Sequence, residues 1–252
     1  MRDHSISSIY FNGNEINFSF VRKSGFKNME LRCDDILQND DPDEIEKVKR
    51  ILIKNSIKLT SLHSFFREVD ISSEDKWLRM KSVREIEKSI IVASRLQCPY
   101  VIAHLSAKLQ NNVSKDKLMK NSFESIKEAN ETAKRMNVRI LLENLPLSML
   151  LSGIDEINNV IDAGYKLCFD LGHALMTGID PVKFCLDYKE KISVVHVHFN
   201  DGKTDSHSFF KTDDEKNLLL RIAEILPKSV AFIYEVISER YLKDIYEEVK
   251  RI

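Results

Sequence analysis

VVHVHFNDGKTDSH, residues 194–207, begins as an apolar strand and ends in a cluster of metal-binding side chains. In an extended chain alternate residues share a face, so Val195, Val197 and Phe199 point one way and His196, His198 and Asn200 the other. Asp201, Asp205 and His207 follow just past its end. A polar or charged group taken out of water costs free energy unless it is paired. A strand with one face given over to imidazoles therefore needs something for them to face.

The same design repeats outward from this stretch. Short apolar runs at 25–32, 57–64, 99–106, 138–144, 165–173, 192–200 and 229–237 alternate with charged segments of helical period. The segment from Asp41 to Asn55 carries Ile45, Val48, Ile51 and Leu52 at helical spacing, and longer helices are predicted over about 73–96 and 115–136. The first 24 residues, SISSIYF and then INFSFVRKS, supply an eighth strand–helix unit. Strands alternating with helices imply parallel pairing with right-handed crossovers. Eight units in 252 residues match an α/β fold, one (β/α)₈ TIM barrel spanning 1–252 as a single domain. An open doubly wound sheet is the alternative, weakened because no GxGxxG or P-loop opens any helix.

Composition limits the function. With 38 Lys and Arg against 39 Asp and Glu, no global basic field attracts nucleic acid or an anionic membrane. No apolar run reaches the roughly 18 residues that span a bilayer, and MRDHSISSIYFNGNE has no apolar signal core. Cys33, Cys98, Cys168 and Cys185 form no CxxC pair and read as reduced thiols of a cytoplasmic protein. No GxSxG elbow or Cys–His pairing suggests nucleophilic catalysis. His4 is expected at the surface, Trp77 on a helix face, and Phe209-Phe210 in loop packing.

His63 closes the third predicted strand, His104 the fourth, Glu143 the fifth, Asp170 the sixth, His198 the seventh and Glu235 the eighth. In a parallel barrel these ends converge on one mouth, where barrel enzymes place their chemistry. Each residue alone has a structural explanation: His63 a hydrogen bond, Asp170 a helix cap, Glu143 and Glu235 ion pairs in loops. Six in succession point to a cation among them, Zn²⁺, Mn²⁺ or Mg²⁺, since imidazole nitrogen and carboxylate oxygen are their ligands. His196, one layer deeper, is placed to orient a ligand.

LLENLP, CFDLGH, VHFND and YEV, in this order and spacing, resemble the xylose isomerase-like TIM barrels. That family includes sugar and sugar-phosphate isomerases and epimerases and the endonuclease IV-type AP endonucleases. In the isomerase branch the resemblance implies one metal on Glu143, Asp170, His198 and Glu235, with the two glutamates as catalytic acid and base. His173 matches a histidine that touches substrate or metal. With Glu30, which matches a common family glutamate, and Lys203, it forms the candidate substrate-binding set. The endonuclease branch carries three zincs, and His63, His104, His173, Asp205 and His207 match its further ligands by position.

Departures weigh between the branches. SFFKTDDEK follows DSH where the family has a Gly-x-Gly loop, and Leu145-Pro146 stands where the endonucleases have a small, Gly-containing stretch. The mouth loops SFFREVDISSEDKW and LSAKLQNNVSKDK are mixed in charge, although Phe65-Phe66-Arg67 has the make-up of a wedge beside a phosphate contact. The expected function is a metal-dependent isomerase or epimerase acting on a small polyhydroxylated compound. A zinc-dependent AP endonuclease is the alternative, and a non-catalytic metal-binding barrel the second.

Overall fold

Each apolar run forms a parallel strand, and the computed structural model describes residues 2–37, 42–107, 109, 113–237 and 241–252. The strands are β1 (His4–Ser7), β2 (Asn28–Arg32), β3 (Lys58–His63), β4 (Tyr100–Ala103), β5 (Arg139–Glu143), β6 (Lys166–Asp170), β7 (Ile192–Val197) and β8 (Ala231–Tyr234). They pair in chain order, and β1 closes on β8 through His4 opposite Phe232, Ser5 opposite Ile233 and Ile6 opposite Tyr234. Closure settles the choice between a barrel and an open sheet.

Helices pack outside the strands: α1 (Phe18–Ser24), α2 (Cys33–Ile36), α3 (Pro42–Asn55), α4 (Lys76–Arg95), α5 (Lys115–Met136), α6 (Ile154–Asp162), α7 (Leu171–Thr177), α8 (Pro181–Tyr188), α9 (Asp213–Ile225) and α10 (Leu242–Val249). On α3 the periodic residues Ile45, Val48 and Leu52 are buried as expected, while Asp41 lies outside the described residues. Helix α5 runs over the predicted span, capped by Ser114 and ended by Asn137 in the left-handed region at φ 55°. Helix α4 starts later than expected because the Asp75 carboxylate accepts from the backbone N–H of Trp77 and Leu78, which fixes Asp75 as the N-cap. Among the described residues no helix is long and apolar enough to cross a membrane.

Three expectations need correction. Only the first part of SISSIYF is strand, and Ser8–Phe11 turn into a 3₁₀ helix. The strand expected over 165–173 stops at Asp170, because Asp170 Oδ1 accepts from the His173 backbone N–H at 2.7 Å and opens α7. His4, expected at the surface, is buried at the N-terminal end of the barrel. Its ring stacks on Tyr234 at 5.9 Å, with Nδ1 3.0 Å from the phenol oxygen. Arg2 seals this end, donating to the carbonyls of Ala223, Leu226, Pro227 and Val230 around the end of α9.

Burial, helped by the Arg2 charge, pushes the His4 imidazole down to about 4. The unfolded chain, with an ordinary histidine, binds more protons between that value and about 6.5, so the contribution of neutral His4 is present above this window. It is lost as pH falls through it, amounting to about 3 kcal/mol. Urea unfolding at pH 7 and pH 4.5 should show the wild type losing more stability than His4→Gln by about 2 kcal/mol, most of that amount. Parallel losses would remove His4 as the cause.

Candidate metal centre

Strand alternation decides which side chains meet. Ile102, Leu141, Cys168, Val194 and Ile233 form a small apolar cluster inside the barrel, separate from the larger core between strands and helices. Two residues further along each chain, on the same face, come His104, Glu143, Asp170, His196 and Glu235. The lumen is therefore apolar at its floor and polar at its C-terminal mouth. A second loop contribution arrives because Phe199 and Ser208 exchange backbone hydrogen bonds at 2.8 Å each, folding 200–207 back over the mouth. That return brings Asp205 and His207 to the ring.

The donors gather in three groups. His63 Nε2, His104 Nε2 and Glu143 Oε2 make a triangle with sides of 3.2, 3.3 and 3.5 Å. His198 Nε2 lies 3.1 and 3.2 Å from the two Asp170 oxygens. Asp205 Oδ2 stands between His173 Nε2 at 3.2 Å and His207 Nε2 at 3.3 Å. A tetrahedral zinc with bonds of about 2.0–2.1 Å has ligand-to-ligand edges of about 3.3–3.4 Å, so these spacings fit such a cation as well as they fit hydrogen bonds.

Imidazole orientation says the same. Nδ1 of His63, His173 and His207 lies 3.0, 2.9 and 2.9 Å from the backbone carbonyls of Ser64, Asn144 and Glu235. A carbonyl only accepts, so each Nδ1 carries a proton and each ring turns its Nε2 inward, where the neighbouring carboxylates favour a second proton that a bound cation would replace. The Glu143 Oε2 atom is buried without a hydrogen-bond partner among the described residues. Two ring nitrogens facing each other at 3.2 Å beside that oxygen are the chemistry of a divalent-metal site, and the residues fit the group.

The ring is supported from outside and from below. Asn144 brackets Asp170, its amide oxygen accepting from the Asp170 N–H at 2.7 Å and its amide nitrogen donating to the Asp170 carbonyl at 2.9 Å. Beneath, His196 Nε2 lies 3.1 Å from Glu30 Oε2, which also accepts from the Ser61 hydroxyl at 2.6 Å. The other ring nitrogen of His196 faces Glu235 at 3.3 Å, Glu143 at 3.6 Å and Asp170 at 3.7 Å. His196 thus sits under three carboxylates of the ring, as its depth in the strand suggested.

Electrostatics follow the crowding. Burial would raise the Glu143 carboxyl, but the charges of His196 and His104 hold it well below its ordinary range. Burial raises Glu235, and neighbouring Glu30 and Glu143 add to the effect against His196 and His207. Burial pulls His63 and His207 down, yet Glu143 beside the first and Asp205 beside the second outweigh it and lift each to about 9. His104 is lowered by burial.

The ring opens on a cavity of about 200 Å³ whose remaining wall is Ile9, Arg32, Phe66, Leu145, Pro146 and Met149. No local pattern in the sequence marks these as one group, although Leu145-Pro146 and Phe65-Phe66-Arg67 stand out in the mouth loops. Arg32 is held by both oxygens of Asp35 at 2.7 and 2.9 Å. Glu30 lies below the cavity rather than in its wall, and Lys203 is exposed on the turn after β7. A larger hollow of about 750 Å³, between the 13–19 loop, α2 and α3, contains none of the ring residues. Lys108 and 110–112 of the second mouth loop lie outside the described residues.

A barrel with this ring at its C-terminal mouth defines a class, and residues 18–243 match the model of the xylose isomerase-like TIM barrel family, to which the chain belongs. An uncharacterized protein of Methanocaldococcus jannaschii is 22% identical over 216 residues, covering 81% of this chain and 83% of its own. The crystal structure of a D-tagatose 3-epimerase-like protein superposes with a TM-score of 0.82 at 19% identity, covering 100% of this chain and 96% of the other. An IOLI protein with a bound zinc atom superposes at 0.78 and 16% identity, covering 100% and 96%.

Proposed function

We propose that the chain, acting over 1–252 as one barrel domain, is a divalent-metal-dependent sugar or sugar-phosphate isomerase or epimerase. The observation that carries this reading is the convergence of two carboxylates, Glu143 from β5 and Glu235 from β8, on one cavity ringed by metal-binding donors. Glu143, Asp170, His198 and Glu235 would hold the ion. When bound, the metal polarises the substrate carbonyl and steadies the charge that develops as the neighbouring carbon loses its proton. One glutamate takes that proton, and the other delivers one to the opposite side. The apolar wall excludes water, and the His173 ring, fixed by Asn144, holds a substrate hydroxyl. The epimerase-like neighbour and the zinc carried by the IOLI protein support this choice. Four buried free cysteines fit a cytoplasmic setting.

A second reading rests on a specific feature, the additional donor groups His63–His104–Glu143 and His173–Asp205–His207. Several metals clamp the attacking and leaving oxygens of a phosphodiester, as an AP endonuclease requires. Metal stoichiometry separates the two. Protein purified without chelator is expected to carry one firmly held divalent metal per chain by elemental analysis, with Asp170→Ala removing most of it. Two or three per chain, with incision of an abasic duplex lost in His104→Ala, would favour the hydrolase. Folded protein that takes up no metal on titration would end both and leave a binding barrel.

A further inference from the structure

Beside the metal cavity lies a second one of about 270 Å³, lined chiefly by Phe65, Phe66, Val69, Ile86, Ala107 and Met149, with Ser64, His104 and Ser106 as its polar part. The two are neighbours through shared walls, since Phe66, His104 and Met149 line both. Phe66 stands at the junction, its ring edge-on to His63 at 5.3 Å and tilted against His104 at 6.0 Å.

Size and chemistry both say what this chamber would take. Packed interiors hold few voids larger than a water molecule. A dry apolar cavity of roughly 150 Å³ already admits benzene, so this one has room for a substituted ring. Small-molecule sites commonly measure about 300–1,000 Å³. At about 200 Å³ the metal cavity falls short alone, and the two reach that range together once the Phe66 ring of their shared wall turns aside. Two phenyl rings and a thioether favour an aromatic occupant through ring–ring and sulfur–ring contact. A phosphate would lose water there against Phe65, Val69 and Ile86 with no Lys or Arg in the wall to replace it, and sugar hydroxyls would find only Ser64, the His104 ring and Ser106, whose oxygen already accepts from Leu150 N–H.

We propose that the side chamber is a subsite for an aromatic group attached to the substrate, with the oxygen-rich head at the metal ring and the aryl group beyond Phe66. The proposal rests on the carbohydrate reading above and narrows its substrate class to aryl-substituted polyhydroxylated compounds, aryl glycosides being the simplest.

Two probes test it without knowledge of the sugar. The first is 4-fluorophenol, followed by ¹⁹F NMR on the full chain. The second is a pair of metal-chelating heads, acetohydroxamate and 3-phenylpropionohydroxamate, titrated into zinc-loaded protein. We expect saturable fluorophenol binding. We also expect the phenyl compound to bind roughly 10- to 100-fold more tightly than acetohydroxamate, which is what burying one aromatic ring yields. Val69→Trp, and separately Ala107→Phe, should fill the chamber and abolish both effects while zinc content and acetohydroxamate affinity stay unchanged. Absence of saturable fluorophenol binding, or a phenyl advantage that survives both fillings, overturns the subsite. A protein that takes neither zinc nor acetohydroxamate, yet binds fluorophenol in a Val69-dependent way, keeps the subsite and loses the metal reading.

Discussion

Glu143→Gln and Glu235→Gln should each lower turnover by roughly 10²–10⁴-fold, the loss that follows removal of a positioned general base or acid. Glutamine keeps the shape of the side chain and an oxygen for the metal, but it cannot accept a proton from carbon. The environment of Glu143 makes the exchange selective. Its two oxygens face different partners, Oε2 the His63–His104 pair and Oε1 the His173 and His196 rings. An amide can satisfy either set while leaving the barrel intact, so far-ultraviolet circular dichroism should be unchanged. The decisive readout is solvent exchange. Incubation of substrate in D₂O should place deuterium on the carbon beside the carbonyl in the wild type, and each variant should suppress it. The two losses need not be equal, because one base can exchange its proton without completing turnover. Substrate converted with no solvent deuterium would indicate a hydride shift and leave the glutamates as ligands only. Normal turnover in both variants would remove the catalytic assignment and leave the metal site.

The fold was legible because barrel strands carry their own punctuation. Each apolar run ends in a residue that cannot stay in the core, and alternation carries the same face from Leu141 to Glu143, from Cys168 to Asp170 and from Ile233 to Glu235. The ring was legible for the same reason: a residue two positions beyond a lumen side chain must point into the mouth. His4 obeyed a different force. Nothing in its neighbourhood marks it as interior, and only the pairing of β1 with β8, whose partners lie 228 residues apart in sequence, covers it with Tyr234. Asp170 shows two explanations holding together, since one carboxylate both caps α7 and faces His198. The cavity's apolar wall was not legible as a unit. Ile9, Phe66, Leu145 and Met149 come from three separate loops whose common destination is set by closure of the sheet, not by any local pattern.

Gly172 is the residue whose importance the sequence hid most completely, and Gly172→Ala is expected to weaken metal binding by at least roughly 100-fold, the upper end of what loss of a supporting partner costs. Helix propensity predicts the opposite sign, because alanine inside a helix such as α7 is favoured over glycine by up to ~1 kcal/mol. Contact decides against it. A Cβ at position 172 would lie 2.0 Å from Cε1 of His198, 2.3 Å from Nδ1 and 2.5 Å from Nε2. The ring cannot make room without leaving its packing: it is fully buried, stacked on His207 at 4.1 Å and edge-on to His173 at 5.4 Å. It must swing away, taking Nε2 from its place beside Asp170 and removing one donor from the ring. Overpacking of this kind costs about 1–3 kcal/mol of stability, so the variant should fold with a lowered melting temperature and little metal. Gly153→Ala, where an added Cβ meets nothing within 4 Å, serves as the control and should keep its metal. The cause is checked by a cycle: if the methyl group acts through the imidazole, Gly172→Ala should change metal affinity almost not at all in a His198→Ala background. Additive losses in that double variant would show that Gly172 matters for some reason other than making room for His198.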